Sequence, residues 1–380
     1  MKDLTPKIAF NIPYYTGKEI RYIQDVFERK YVAGNGFYSK KVHDFFKRKW
    51  GLKNVLLTTS GTDALEMAAL LLDIKPGDEI ILPSYTFVST ALAFVRQGAV
   101  PKFVDSMPDH PNMDVQAIEP LITEKTKAIV VVHYAGMAVD MDTVMGLARK
   151  NNLPVVEDAA QAIHSFYKDK PLGSIGDLGI FSFHETKNIH CGEGGLLIIN
   201  NRDWVERAEI VWEKGTNRSK FFKGEVNKYE WVDLGSSFLP DEMNAAFLWA
   251  QLEEVDNIHR KRMNIWNRYY EGLKDWADEN GVILPRIPEY ATHNAHIFYM
   301  ILPEHIHRDQ FIAYLKENGI HAVFHYLALH RSPFGQAYAN LREPFPNTIK
   351  YTNRLVRLPL HLYLSKNEIN YIIEKIKRFG

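Results

Sequence analysis

The chain has 380 residues, of which 46% are hydrophobic and 24% charged, the balance of an ordinary folded protein, so disordered and fibrous classes are excluded. At that length a large domain and a smaller one are expected, each with its own core, and the division is placed at 1–255 and 256–380. Lys+Arg and Asp+Glu both total 46, so no net field draws the chain toward nucleic acid or an anionic membrane, and any anion it binds must meet a local site.

The N-terminal residues Met1 to Pro6 carry no apolar signal core, and no apolar run reaches the roughly 18 residues of a membrane span. Cys191 is the only cysteine, so an intrachain disulfide is impossible, and a cytoplasmic location is expected. The basic stretch from Arg29 to Lys49 interleaves with Val42, Phe45, Phe46 and Trp50, which reads as the solvated face of an amphipathic helix rather than a phosphate-tracking patch. From about residue 54 to 200, short apolar runs alternate with helix-like segments, the pattern of strands joined by crossover helices in a mostly parallel α/β sheet. The predicted strands are Val55–Leu57, Ile80–Leu82, Phe103–Val104, Ala128–Val132, Val155–Val156, Gly179–Ser182 and Leu196–Ile199. Lys75 to Asp78 reads as a turn, and Pro154 opens a strand where a missing N–H is tolerated. From Asp241 to about Gly272 the pattern is helical with no Pro or Gly between, predicting one helix that bridges the two domains. The remainder reads as a smaller α/β unit containing Ile297–Leu302, Phe311–Leu315 and Ile369–Ile376.

Three stretches carry candidate chemistry. Thr58 to Leu65 follows a strand and opens a helix, so free N–H groups beside hydroxyl side chains and Gly61 form a phosphate cradle, or else Ser60 or Thr62 merely caps the helix. Val155 to Gln161 ends a buried strand in Glu157 and Asp158, placing Asp158 where ligands of α/β sheets bind, although an aspartate there equally suits a helix cap. Phe181 to Asn188 puts Lys187 after an aromatic strand and before a run of glycines, within reach of a carbonyl cofactor. Each signal is weak singly. Together they supply what pyridoxal phosphate requires: N–H donors for its phosphate, an acid partner for its ring nitrogen and an amine for its aldehyde.

In this order, these motifs resemble the DegT/DnrJ/StrS family of sugar aminotransferases over nearly the whole chain. Ser60-Gly61-Thr62 resembles its phosphate loop, Pro83 to Val88 its ring-stacking strand, Glu157 to Gln161 its pyridinium site and Ser182 to Lys187 its lysine segment. The resemblance implies the type I, aspartate aminotransferase-like fold, pyridoxal 5'-phosphate as cofactor, and a homodimer with shared active sites. It implies that Lys187 bonds the cofactor, Asp158 pairs its ring nitrogen, Phe87 stacks on the ring and Gln161 lies near the phenolic side, with Gly61, Thr62 and Ser182 on the phosphate. Family members commonly bring an Asn, within a Gly-x-Asn-x-Arg segment, to the neighbouring subunit's phosphate. Here the segment reads Gly235 to Leu239, so Ser237 takes the place of the Asn and Leu239 that of the Arg.

The stretches Leu65–Ile74, Phe181–Asn188, Glu213–Ser219 and Val323–Tyr326 are similar to members that aminate a dTDP-4-keto-6-deoxyhexose to the galacto product. That implies a nucleotide-sugar substrate and glutamate as donor, with Arg218 reaching a neighbour's nucleotide. Independently of the resemblance, His325 and His330 suit either sugar hydroxyls or an ordinary core or surface role, and His330 is assigned to the substrate site. His184-Glu185 begins like a zinc-helix motif, but Asn188 stands where the second histidine belongs, so no metal is expected. Three other readings differ in kind: a regulatory or binding protein that keeps the fold without turnover, a dehydratase in which His replaces the lysine, and an aminotransferase giving the equatorial epimer. Lys187 argues against the first two.

Overall fold

Twelve strands form in the computed structural model, which describes residues 7–338 and 344–379. They are Val55–Thr58 (β1), Glu79–Pro83 (β2), Val100–Val104 (β3), Thr126–Val132 (β4), Val155–Asp158 (β5), Phe166–Tyr167 (β6), Lys170–Pro171 (β7), Leu178–Ser182 (β8), Gly195–Ile199 (β9), Phe298–Ile301 (β10), Val323–Phe324 (β11) and Leu355–Leu358 (β12). The longer helices are Glu19–Glu28 (α1), Phe37–Trp50 (α2), Gly61–Leu71 (α3), Ser89–Val95 (α4), Met141–Asn151 (α5), Val205–Trp212 (α6), Arg218–Phe222 (α7), Glu242–Leu252 (α8), Val255–Glu279 (α9), Arg308–Glu317 (α10), Pro346–Arg354 (α11) and Lys366–Lys377 (α12). None of the described helices is long and apolar enough to cross a membrane.

All seven strands expected before residue 200 are present, in the sheet order β1-β9-β8-β5-β4-β2-β3. Every neighbouring pair from β8 through β3 is parallel, and β9 alone runs against the rest. Parallel strands are covered by helices on both faces, which is why β4 reads Thr-Lys-Ala-Ile-Val-Val-Val and is buried at all but one position. Because β1, β2, β5 and β8 point the same way, their carboxyl ends share one edge, and the three candidate stretches converge there. Two of the hydrophobic cores lie on the faces of this sheet.

Beyond it, β10, β12 and β11 form a separate antiparallel sheet against α9, α10 and α12, with a core of its own. The chain enters that core through α9: Val255 and Ile258 pack with the large sheet, whereas Ile265, Trp266 and Leu273 pack with the small one. Ile8 bridges Ile320 and also packs there, so the start of the chain joins the second core although the sequence grouped it with the first. The single helix expected from Asp241 to Gly272 is two. It breaks at Glu253 and Glu254, which both pair with Lys18, and α9 then continues past Gly272 to Glu279.

Candidate active site

A cavity of about 530 Å³, within the size range of small-molecule sites, opens along the carboxyl edge of the large sheet and is closed on its far side by β12. Its floor at one end is the start of α3. Ser60 caps that helix by accepting the Asp63 N–H at 3.0 Å, and Asp63 in turn accepts the Ser60 and Thr59 hydroxyls, so the cap reading holds. The cap leaves the neighbouring N–H groups for an anion. Close approach is built in. A methyl carbon on Gly61 would stand 2.9 Å from Ser182 Cβ, and one on Gly195 would stand 2.3 Å from the Ser60 carbonyl oxygen. Thr62 and Ser89 join hydroxyls at 2.8 Å on the same rim.

Asp158 closes β5 and is buried. Its Oδ2 accepts the Thr90 hydroxyl at 2.7 Å and its Oδ1 the Ala160 N–H at 3.2 Å, while no ion pair among the described residues reaches it. Residues 159–165 are turns, so there is no helix for Asp158 to cap, and that alternative falls. A buried carboxylate held by neutral donors alone is poised for a cation. Behind it, Glu157 accepts N–H bonds from Gly173, Ile175 and Gly176 and meets His133 Nε2 at 2.9 Å, which fixes the strand end. Gln161 accepts the Ala135 N–H at 2.7 Å and donates to the Tyr326 hydroxyl at 3.1 Å. The Phe87 ring is 56% exposed and faces the cavity, tilted against Tyr326 at 6.2 Å between centroids.

Lys187 lies in the connection between β8 and β9, and its Nζ makes no hydrogen bond among the described residues. The next residue is clamped: Asn188 donates to the Asn294 carbonyl at 2.8 Å and meets His296 Nδ1 at 3.0 Å. Burial pushes the Lys187 amine down to about 8; Asp158 opposes that shift and Arg357 adds to it. Only the neutral amine attacks an aldehyde, so cofactor-free protein should take up pyridoxal phosphate at a rate that climbs with pH through about 8 and then levels. Rapid-mixing absorbance across that range checks this, and a rate still climbing toward the ordinary lysine value of 10.5 would contradict it.

Six of the expected residues, Gly61, Thr62, Phe87, Asp158, Gln161 and Ser182, thus line one cavity with Lys187. Three do not. His330 is held outside: its Nδ1 meets the Ser84 hydroxyl at 2.6 Å and its ring stacks on Phe345 at 4.3 Å, so packing beneath the end of β2 replaces the sugar contact expected of it. His325 and Tyr326 reach the cavity instead, His325 through Nδ1 against the Tyr134 hydroxyl at 2.9 Å. Arg218 sits on α7, paired with Glu213 and lying 5.1 Å over Phe222, and Ser237 is exposed beside Glu213; neither lines this chain's own cavity. The sequence also gave no notice of two arginines in the wall, Arg262 and Arg357.

The family described as the DegT/DnrJ/EryC1/StrS aminotransferase family matches residues 13–377. The chain belongs to this family. Among curated relatives, it is 32% identical over 384 residues to the GDP-perosamine synthase of Caulobacter vibrioides, covering 98% of each chain. It is 30% identical to the spore coat polysaccharide biosynthesis protein SpsC of Bacillus subtilis, covering 97% of this chain and 96% of that one. Among solved structures, Spr1654 of Streptococcus pneumoniae in its PLP form superposes with a TM-score of 0.87 at 27% identity, covering 97% of each chain. The same protein is also solved in its PMP form. The fold is therefore that of the type I pyridoxal-phosphate transferases, and this DegT/DnrJ/EryC1/StrS member is a pyridoxal-phosphate-dependent sugar aminotransferase that makes an amino sugar on a nucleotide carrier.

The cavity fits that cofactor: a helix start with glycines where a side chain would collide, a buried carboxylate held by neutral donors, and a lysine amine all line it.

Proposed function

We propose that the enzyme moves the amino group of glutamate to C4 of dTDP-4-keto-6-deoxyglucose, giving dTDP-4-amino-4,6-dideoxygalactose and 2-oxoglutarate. The observation that carries the transamination is Lys187 Nζ, held in the same cavity as Asp158 and pushed toward neutrality. The choice of sugar is supported by the four sequence stretches similar to galacto-forming members. Two of them enter the wall directly, with Ser182 to Lys187 on one side and His325 and Tyr326 on the other.

Pyridoxal phosphate, when bound, supplies an aldehyde that carries nitrogen between two substrates and a ring that withdraws electrons from the carbon losing its proton. The N–H groups at Gly61 and Thr62, with Ser182, hold the phosphate. Asp158 would keep the ring nitrogen protonated through a charge-assisted hydrogen bond, and Phe87 would cover the ring. Lys187 Nζ would take the proton from Cα of the amino acid in the first half and deliver one to C4 of the sugar in the second. Incubating the holoenzyme with glutamate and dTDP-4-keto-6-deoxyglucose should give a product whose NMR couplings from H4 to H3 and H5 are small, the mark of an axial amine. Large couplings would assign the equatorial epimer, and no amino sugar would refute the reaction.

The active form on this reading is a homodimer. Phe222, Trp231 and Leu234 are 70%, 79% and 62% exposed around α7, an apolar surface that a second copy would cover. Arg218, paired with Glu213, and Ser237 lie on that same side, outside this chain's own cavity and where a neighbour's could meet them. Sedimentation that finds an active monomer would contradict this.

A further inference from the structure

The Gln161 carboxamide has only one orientation open to it. A backbone N–H can only donate, so the Gln161 atom that meets the Ala135 N–H at 2.7 Å is the oxygen, and the nitrogen is the atom 3.1 Å from the Tyr326 hydroxyl. The Tyr326 oxygen therefore accepts one of the two hydrogens on Nε2. The other has no protein acceptor among the described residues, and Gln161, although buried, lines the cavity. Tyr326 reaches it from the opposite side: it follows β11 of the small sheet, and its ring is wedged among those of Phe87, Tyr85 and Tyr134, with centroids 6.2, 5.9 and 6.2 Å away. A packed ring thus carries the hydroxyl to the amide, and the bonds at Ala135 and Tyr326 together fix the amide plane. A side chain held at both ends has little rotamer freedom left to lose when a ligand arrives.

What the remaining hydrogen meets follows from the order of the strands. Along the carboxyl edge the start of α3 stands after β1, Ser182 ends β8, Asp158 ends β5 and Ala135 lies just past β4, and the sheet runs β1, β9, β8, β5, β4. Pyridoxal phosphate carries its phosphate arm and its phenolic oxygen on opposite sides of the line from ring nitrogen to aldehyde carbon. With the arm at α3 and the nitrogen at Asp158, the phenolic oxygen falls on the β4 side, where Gln161 is tied to Ala135. We propose that Tyr326 is a positioning residue that locks Gln161 so that its second Nε2 hydrogen is donated to the phenolic oxygen, an assignment that rests on the cofactor contacts proposed for α3 and Asp158. The donor matters most when that oxygen bears its full negative charge, after the nitrogen joining Lys187 to the cofactor has lost its proton. A bond that favours the deprotonated form lowers the pH at which the proton leaves, so losing the bond raises that pH.

The visible band of the holoenzyme, titrated with no substrate present, reads that pH directly. Tyr326→Phe keeps the ring and loses the hydroxyl, and should raise the midpoint by about one pH unit, the tenfold effect of one hydrogen bond to a charged group. Gln161→Ala should raise it by at least as much. Adding Tyr326→Phe to Gln161→Ala should move it no further, because a residue that acts through another contributes nothing once that other is gone. The other charged and titratable side chains of the wall, Asp158, His184, Glu193, Arg262, His296, His325 and Arg357, set the wild-type midpoint and are the same in every variant. A full additional shift in the double variant would mean that Tyr326 acts on the cofactor itself, and an unmoved midpoint in Tyr326→Phe would mean that the amide needs no second anchor. Either overturns the proposal while leaving Gln161 where it is placed. A Tyr326→Phe protein that takes up no cofactor would also count against a positioning role, since α3, Ser182 and Asp158 are untouched. An unmoved midpoint in Gln161→Ala would overturn the proposal and the placing of Gln161 together. None of these results depends on which sugar or amino acid reacts, so a failure here is separate from a failure of the proposed reaction.

Discussion

Lys187→Ala should abolish turnover, with a loss on the order of 10⁴-fold or more, while the folded protein still retains pyridoxal phosphate. The two effects separate because they rest on different parts of the cavity. On the proposed reading the start of α3 and Ser182 would hold the phosphate, and Asp158 and Phe87 the ring, none of which depends on the lysine. The amine, on the same proposed reading, has two tasks: bonding the aldehyde and carrying the proton. Among the described residues no other lysine lines the cavity, and His296 and His325, held through Nδ1 by Asn188 and by the Tyr134 hydroxyl respectively, are made weaker bases than a free imidazole by burial. Steady-state rates and the cofactor content of the purified variant check this. A variant that keeps a tenth of wild-type activity would move the proton transfer to another residue.

The second large effect concerns Asp158. Among the described residues its carboxylate accepts a hydroxyl and an N–H, both neutral, so on the proposed reading it is left to pair the protonated ring nitrogen. Asp158→Ala removes a charge partner worth about 3 kcal/mol and should slow proton removal from the amino acid roughly 100-fold or more. Asp158→Asn keeps the size and the Ala160 contact but cannot stabilise the positive ring, so it should match Ala in rate while retaining more cofactor. Stopped-flow measurement of the glutamate half-reaction isolates the step. Near-normal rates in both variants, with cofactor bound, would mean that the ring's acid partner lies elsewhere.

How far the sequence alone reaches is visible in particular residues. The strands of the large sheet are readable because buried parallel strands are nearly continuous runs of apolar residues, as Thr126 to Val132 shows. The reversed direction of β9 was not: the 12 residues 183–194 that join β8 to β9 and bear Lys187 are just about the length of a crossover, so length alone leaves the direction open. The break between α8 and α9 was not legible, since no Pro or Gly marks it and it is fixed by a lysine more than 230 residues earlier. His330 went wrong for a related reason. It lies close in sequence to Tyr326, but one turn of chain takes it to Ser84 and Phe345 and away from the cavity. Arg357 and Arg262 carry no local motif at all. They become neighbours of Lys187 only when the small sheet closes over the large one, and no pattern of spacing in a single sequence announces that meeting.

The most direct test of the whole account is where the cofactor attaches. Holoenzyme reduced with borohydride, digested and mapped by mass spectrometry should carry one phosphopyridoxyl group, on the peptide containing Lys187, and this mark should vanish in Lys187→Ala. A reduced adduct on any other lysine, or none in protein that still turns over, would contradict it.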